Sequence, residues 1–304
     1  MMRIAITGRE GQVARSLIER AAASRQDVIP IGRPQLDLAG DPEAICRTLR
    51  DVSPDVIVSA AAYTAVDRAE TEREMAFAAN ERGAEAVAMA AAELDVPLIH
   101  ISTDYVFDGS KPTPYVEDDP PSPTSVYGAS KLAGEQAVLA AHPNTAVLRT
   151  AWVYSPFGAN FVKTMLRLAA DRDEVAVVCD QLGNPTSALD IADAILRIAS
   201  NLAASDDSRT RGVFHMTARG QASWADFAEA IFAASAGAGG PTARVRPIST
   251  AEYPTPAKRP ANSRLNCDKL KQAHGVELPE WQMALPAVVR RLVTGSVPSK
   301  VSQQ

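Results

Sequence analysis

Short apolar runs alternate with amphipathic stretches along the first half of the chain. "RIAITG" reads as a strand and "GQVARSLIERAAA" as a helix. The cycle repeats with "DVIPIG" as a strand, "PEAICRTLRDV" as a helix and "PDVIVSAAA" as a strand. "EMAFAANERGAEAVAMAAAELD" follows as one long alanine-rich helix, then "PLIHIS" as a strand. A polar, proline-rich loop over residues 108–124 leads into a helix that carries "SVYGASKLAGE", and "TAVLRT" closes the series as a strand. Apolar strands, each followed by a helix, predict a parallel sheet covered on both faces. Right-handed crossovers make this an α/β fold, a doubly wound parallel Rossmann sheet with ligands outside the carboxyl ends of its strands.

After about residue 150 the rhythm weakens. "NFVKTMLRLAADRD" and "SWADFAEAIFAAS" are helical, and proline-rich loops such as "YPTPAKRP" divide them. The expected division is an NAD(P)-binding domain over 1–150, to which segments of about 174–180 and 188–217 return, and a smaller substrate-binding lobe over 151–173 and 218–304.

Composition narrows the function classes. With 46% hydrophobic and 22% charged residues the chain is an ordinary globular one. A net charge of −5 argues against a nucleic-acid or anionic membrane surface. Cys46, Cys179 and Cys267 lie far apart and show no metal spacing, which predicts unpaired thiols. No apolar run approaches the roughly 18 residues of a membrane span, and the start reads as a strand rather than a signal peptide. A cytoplasmic protein acting on a small molecule, as monomer or homodimer, is expected.

"ITGREGQVA" puts Gly8 and Gly11 between the first strand and the first helix, with Ala14 three positions on. Glycines here permit a tight turn and let backbone approach a pyrophosphate at the helix N-terminus. Glu10, Gln12 and Val13 complete that turn. An acid at the end of the second strand would hold ribose hydroxyls, but this chain has Gly32 and Arg33 there. A guanidinium pairs with a 2′-phosphate, so Arg33, helped by Arg9, points to NADPH over NADH. A solvated surface arginine is the competing reading. Asp37 and Leu38 are placed beside the adenine, and the segment Ala60, Ala61, Ala62, Tyr63, Thr64 beside the dinucleotide.

Tyr127 and Lys131 stand four positions apart, about one helical turn, and so share a face. A free phenol has a pKa near 10 and is a poor acid–base catalyst at neutral pH. A neighbouring ammonium would stabilise phenolate and bring that value down. The strand "PLIHIS" ends at Ser102-Thr103, on the ligand side of the sheet. Thr103 would hydrogen-bond a ketone oxygen while Tyr127 hands it a proton, and Lys131 could also hold the nicotinamide ribose. His100 sits in a buried strand and reads as a satisfied core residue.

Taken in order, "GxxGQV", "AAYTAVDRAE", "STDYVFDG", "VYGASKLAGE", "RTAWVYSPFGANFVKTML", "DQLGNPTS" and "YPTPAKRPANSRL" resemble the extended short-chain dehydrogenase/reductase superfamily, and within it the dTDP-4-dehydrorhamnose reductase branch. Members of that branch use NADPH or NADH to reduce the 4-keto group of dTDP-6-deoxy-L-lyxo-4-hexulose, the last step to dTDP-L-rhamnose for cell-surface polysaccharide. The resemblance implies catalytic roles for Thr103, Tyr127 and Lys131. It implies that Val66, Asp67, Asp104, Tyr105 and Trp152 lie near the sugar, and that Asn160, Gln181, Pro185, Thr186, Arg259 and Asn262 belong to the substrate lobe or its hinge. Trp152 would offer a flat apolar face, Arg259 a forked donor for diphosphate, and Asn160 and Gln181 amide pairs for hydroxyls. Some members hold Mg²⁺ between subunits on acidic residues; Ser16 and Leu189 stand in those places here, so no metal is expected. Other readings keep the superfamily but change the chemistry, to another nucleotide-sugar reductase, an epimerase or a dehydratase, or drop it, to a non-catalytic regulatory subunit.

Overall fold

The computed structural model describes residues 1–24 and 26–295. The last nine positions of the expected substrate lobe, 296–304, lie outside the described residues. The first half runs β1 (Arg3–Thr7), α1 (Gln12–Ser24), β2 (Asp27–Ile31), α2 (Pro42–Val52), β3 (Val56–Ser59), α3 (Val66–Ala69), α4 (Arg73–Phe77), α5 (Gly83–Leu94), β4 (Leu98–Thr103), α6 (Val126–Ala141) and β5 (Thr145–Thr150). The second runs β6 (Val153–Tyr154), α7 (Phe161–Asp171), β7 (Glu174–Val178), β8 (Leu182–Gly183), β9 (Thr186–Ser187), α8 (Ala188–Ala204), β10 (Gly212–His215), β11 (Ala222–Ser223), α9 (Trp224–Gly237), β12 (Arg244–Ile248), α10 (Asp268–His274) and α11 (Trp281–Thr294).

Six parallel strands form the central sheet in the order β10-β5-β4-β3-β1-β2. Every residue of β3 and β5 is buried, as strands covered on both faces require. One apolar cluster on the sheet gathers α1 and α8 residues such as Leu17, Ile195 and Ile198; the other gathers α2 and α5 residues such as Ile45, Leu49 and Val87. The chain leaves β1 outward to β2, then returns to β3 on the other side of β1. That reversal is the switch point at which doubly wound sheets open a crevice.

α2 forms where the sequence says it must. Asp41 accepts from the Glu43 amide, Pro42 opens the first turn, and Ser53 closes the helix in the left-handed region. The alanine-rich segment predicted as one helix is interrupted instead. Residues Ala78–Arg82 form a π-turn between α4 and α5, and Asn80 within it is buried. Its side chain accepts from Tyr63 N (2.7 Å) and donates to Tyr63 O (3.0 Å) and to Ser130 Oγ (2.9 Å). The wider turn thus ties the segment after β3 to α6, a use typical of such insertions. α6 lies very close to both neighbours: a Cβ on Gly128 would meet the Tyr105 carbonyl oxygen at 2.1 Å, and one on Gly134 the Asn80 carbonyl oxygen at 2.0 Å.

The second lobe has its own apolar cluster, with Tyr154, Phe227, Ile231 and Trp281 at its centre. Residues 174–180 do not return to the main sheet as expected. β7 pairs in parallel with β12, and Val175 and Val177 turn into the second cluster beneath α9. Its apolar face matches the second lobe, while Glu174 on its exposed side pairs with Arg246 (3.0 Å) and Arg244. Residues 188–217 do run back: α8 packs on the α1 side of the sheet and β10 extends it beside β5. All three cysteines are unpaired, and among the described residues no helix is long and apolar enough to cross a membrane.

Candidate active site

The glycine turn sits at the switch point. Gly8 N–H donates to Ile31 O (2.6 Å), which draws the turn toward β2. Gly8 has φ +98°, and a Cβ there would sit 3.5 Å from the Ala61 Cβ, an ordinary contact. The backbone conformation, not lack of room, therefore demands glycine. Gly11 is exposed with open space where a Cβ would be. Thr7, unremarked in the sequence, accepts from both Ala60 N and Ala61 N (3.0 Å each) and so pins the small-residue segment beside the turn. A thirteen-residue helix N-terminus, an open glycine turn and a backbone ledge of alanines make a cradle that fits a dinucleotide pyrophosphate.

Arg33 is exposed at the end of β2, and the Arg9 side chain runs past the preceding residue: a Cβ on Gly32 would lie 3.3 Å from Arg9 Cγ. Arg9 Nε donates only to Pro30 O (3.4 Å), and among the described residues neither guanidinium has a carboxylate partner. Both are free to take a phosphate. Arg33→Ala is expected to raise KM for NADPH about five- to tenfold and to leave KM for NADH within about twofold, the size of one exposed charge-assisted hydrogen bond; equal changes for both cofactors would take Arg33 out of phosphate recognition.

Other residues predicted for the cofactor are placed differently. Leu38 is buried in the α2–α5 core, with its carbonyl against Gly83. Asp37 is exposed and caps its own turn, accepting from Ala39 N (3.1 Å). Val13 packs on the α1–α8 core, and Glu10 is exposed near Arg15 (4.0 Å). Tyr63 donates its hydroxyl to Glu72 (2.6 Å), and Thr64 is exposed. Gln12 reaches away from the turn to the second lobe, donating to Val153 O (3.2 Å) and accepting from Ser155 Oγ (2.9 Å) and Asn160 Nδ2 (3.1 Å).

Tyr127 and Thr103 do come together, and Lys131 lies one turn deeper along α6. Ser125 caps α6 by accepting from Gly128 N (3.1 Å), and this starts the helix so that Tyr127 faces the tip of β4. The Tyr127 hydroxyl reaches the Thr103 hydroxyl. Thr103 Oγ1 donates to Asp104 Oδ1 (2.9 Å) and accepts from Tyr105 N (3.2 Å). Tyr105 meets the Tyr127 ring edge-on at 5.6 Å. Lys131, 2% exposed, lies beneath: Nζ donates to Ile101 O (2.8 Å) and to His100 Nε2 (3.2 Å).

The electrostatics differ from the sequence expectation. Burial pushes the Tyr127 phenol above its ordinary value, the Asp104 carboxylate adds to this, and the Thr103 hydrogen bond opposes it. The Lys131 ammonium bonds the strand backbone and His100 rather than the phenol oxygen. Burial brings Lys131 down to about 8, against the pull of Glu135. Asp104, 3% exposed, is raised to about 6 by burial, with Ser263 and Thr103 opposing; its Oδ2 is buried without a hydrogen-bond partner. An acid whose folded pKa lies above its unfolded value costs stability as pH rises between the two. Asp104→Asn is therefore expected to be more stable than the parent above about pH 6, by up to about 3 kcal/mol, and no more stable below about pH 4. Urea unfolding at the two pH values checks this; a gain that is the same at both would show that Asp104 ionisation is not its source.

The substrate-lobe residues divide into two groups. Arg259 pairs with Asp67 (2.8 Å), Ala257 N donates to the same carboxylate (3.2 Å), and the guanidinium lies 5.9 Å from the Tyr105 ring centre. Arg259 Nη1 is buried and unpartnered. Val66 is half-buried at the start of α3, next to Asp67. Arg259 and Asp67 thus stand beside Tyr105. The predicted amides, in contrast, are spent on the scaffold. Asn262 donates to Lys111 O (2.6 Å) and Thr113 O (2.8 Å) and accepts from Arg264. Gln181 donates to Thr250 Oγ1 (3.0 Å) and accepts from Trp224 Nε1 (3.2 Å). Asn160 caps α7 and donates to Gln12, Ser155 O and Phe157 O. Trp152 stacks on Trp224 with centroids 3.5 Å apart, and a Cβ on Gly183 would lie 2.3 Å from its indole, so it is packed rather than open. Pro185 and Thr186 are buried, the latter bonded to Asn184 O (2.9 Å). At the expected metal positions, Ser16 is buried with its hydroxyl unpartnered and Leu189 is half-buried.

A buried triad was not anticipated. Ser102 donates to Glu135, and Arg149 grips the same carboxylate through Nε (2.9 Å) and Nη2 (2.7 Å), both side chains being 3% exposed. The available signal was a glutamate one turn beyond Lys131 and an arginine inside the apolar run "TAVLRT".

A dinucleotide cradle at the switch point, with a threonine, a tyrosine and a lysine gathered beside it, defines a nicotinamide-dependent oxidoreductase of the short-chain dehydrogenase type. A sequence profile for the RmlD substrate binding domain matches residues 2–294. The dTDP-4-dehydrorhamnose reductase of Sinorhizobium fredii is 53% identical over 294 residues, covering 96% of this chain and 97% of that protein. The enzyme of the same name from Escherichia coli K12 is 42% identical over 301 residues, covering 96% and 99%. Among solved structures, a dTDP-4-dehydrorhamnose reductase from Bacillus anthracis in complex with NADP superposes with a TM-score of 0.87 at 36% identity, covering 94% of this chain and 98% of that one. The chain belongs to the dTDP-4-dehydrorhamnose reductase family.

Proposed function

We propose that this chain reduces the 4-keto group of dTDP-4-dehydro-L-rhamnose to give dTDP-L-rhamnose, and that Thr103, Tyr127 and Lys131 do the chemistry. The observation that carries the assignment of roles is the placing of the Tyr127 phenol, edge-on to Tyr105, against the buried Thr103 hydroxyl at the tip of β4. NADPH would be held on the glycine turn, with Arg9 and Arg33 at its phosphate end and the Lys131 ammonium for the nicotinamide ribose, and would supply the hydride.

As the carbonyl carbon gains hydrogen, the C=O π pair moves onto oxygen. That oxygen becomes a far stronger base than phenolate, so a phenol kept protonated by burial is a competent donor. The Tyr127 O–H bond breaks, its proton goes to the new alkoxide, and the sugar leaves as an alcohol. Thr103 fixes the oxygen in position. While Asp104 is neutral, the Thr103 proton is free to turn toward the carbonyl; once ionised, Asp104 competes for it. Arg259, steadied by Asp67, offers its unpartnered Nη1 to the diphosphate. Tyr105, edge-on to Tyr127, walls the sugar side and keeps water from the proton transfer.

The test is the stoichiometry of NADPH oxidation with dTDP-4-dehydro-L-rhamnose, beside NADH and UDP-linked keto sugars. One NADPH consumed for each dTDP-L-rhamnose formed supports the reading. Turnover without net NADPH loss would make the chain an epimerase or dehydratase.

A further inference from the structure

We infer that His100, with Ser59 behind it, is a positioning residue that seats the Lys131 ammonium by accepting a hydrogen bond at Nε2. The inference rests on the ketoreductase reading and assigns a role to a residue that the chemistry above does not use.

The geometry leaves one consistent proton arrangement. An ammonium can only donate. Nζ of Lys131 lies 3.2 Å from His100 Nε2, so Nε2 must present its lone pair. The ring proton then sits on Nδ1, which lies 3.2 Å from Ser59 Oγ and donates to it. His100 and Ser59 are register partners on β4 and β3, and both are buried, at 1% exposure each. Burial and the nearby ammonium hold His100 well below its ordinary pKa, so the neutral ring persists at physiological pH. A protonated ring would turn from acceptor into donor and repel Lys131.

The other charged groups near Lys131 are accounted for. Glu135, one turn along α6, is gripped by Arg149 from β5 and by Ser102 from β4. Asp104 acts on Tyr127 and Tyr105. Ile101 O and His100 Nε2 are the groups that hold Nζ directly. The seat is thus built by the protein itself. It fixes the ammonium below the sheet tip and sets how near it stands to the phenol.

The experiment is the pH dependence of kcat in the full-length enzyme with NADPH and the keto sugar, for His100→Leu, His100→Gln and Ser59→Ala. Leucine removes the acceptor, so the ammonium loses its proton at lower pH. The alkaline limb of kcat should move down by about one pH unit, so that kcat falls about twofold at pH 7 and approaches a tenfold loss above about pH 9, while KM for the sugar stays within about twofold. Glutamine can place Oε1 where Nε2 was and should restore the limb. Ser59→Ala frees the tautomer and should shift the limb in the same direction by less; it carries the test if the leucine variant does not fold. Nitrogen NMR of ¹⁵N-histidine in the unliganded protein supplies a readout independent of turnover: His100 should remain the neutral Nδ1–H form between about pH 5 and 7.5, where Lys131 is charged. The inference is overturned if Nε2 carries the proton, if the Leu and Ser59→Ala limbs superpose on the parent, or if Leu and Gln lose activity equally with unmoved limbs. A parent enzyme inactive toward every keto-sugar nucleotide would remove the reductase reading while leaving the tautomer result standing.

Discussion

Tyr127→Phe is expected to lower kcat by a factor on the order of 10²–10⁴, the usual worth of a positioned proton donor, with Kd for NADPH changed by less than about twofold. The ring stays, so the edge-on contact with Tyr105 and the packing of α6 survive. Only the hydroxyl that meets Thr103 is lost. Activity close to the parent's would hand the proton to another group, and Asp104 would be the first to examine, since burial keeps it neutral up to about pH 6. Rapid-mixing measurement of single-turnover NADPH oxidation separates this from an effect on product release.

The second large effect falls on stability. Arg149→Met is expected to destabilise the fold by about 3–5 kcal/mol, because it leaves the Glu135 carboxylate buried without its cation. The double variant Arg149→Met/Glu135→Leu should regain most of that loss, since apolar groups of similar size replace a buried pair at little net cost. Urea midpoints for the two single variants and the double variant decide it. A double variant no better than the single would mean that Arg149 contributes through its contact with the Phe107 ring, 5.1 Å away, rather than through charge.

Much of the fold was legible because its cues are local. Asp41, Pro42 and the left-handed Ser53 bound α2 within a few residues of themselves. The Tyr127–Lys131 spacing placed both on one face of α6 for the same reason. What the spacing could not convey is where Lys131 reaches. Its acceptors come from β4, thirty positions away, and they draw Nζ toward the strand rather than the phenol. The substrate amides failed in a similar way. Asn160, Gln181 and Asn262 are suited to sugar hydroxyls, yet a loop-rich lobe has many polar groups to satisfy: Asn160 and Asn262 serve backbone carbonyls, and Gln181 joins the Thr250 and Trp224 side chains. The segment 174–180 was expected to return to the first domain, but an apolar run does not name the strand it will pair with. Its partner β12 lies some seventy residues downstream. The π-turn at Ala78–Arg82 was hidden because an alanine-rich helix has no periodic break to betray one extra residue.

The most direct test of the central claim is a crystal structure of the Tyr127→Phe enzyme with NADPH and dTDP-4-dehydro-L-rhamnose, which should accumulate unreacted. The account predicts the 4-keto oxygen within hydrogen-bond distance of Thr103 Oγ1 and against the para edge of the ring at position 127, with the diphosphate on Arg259. A keto oxygen turned away from both positions, or a sugar held outside the space between β4 and α6, would contradict it.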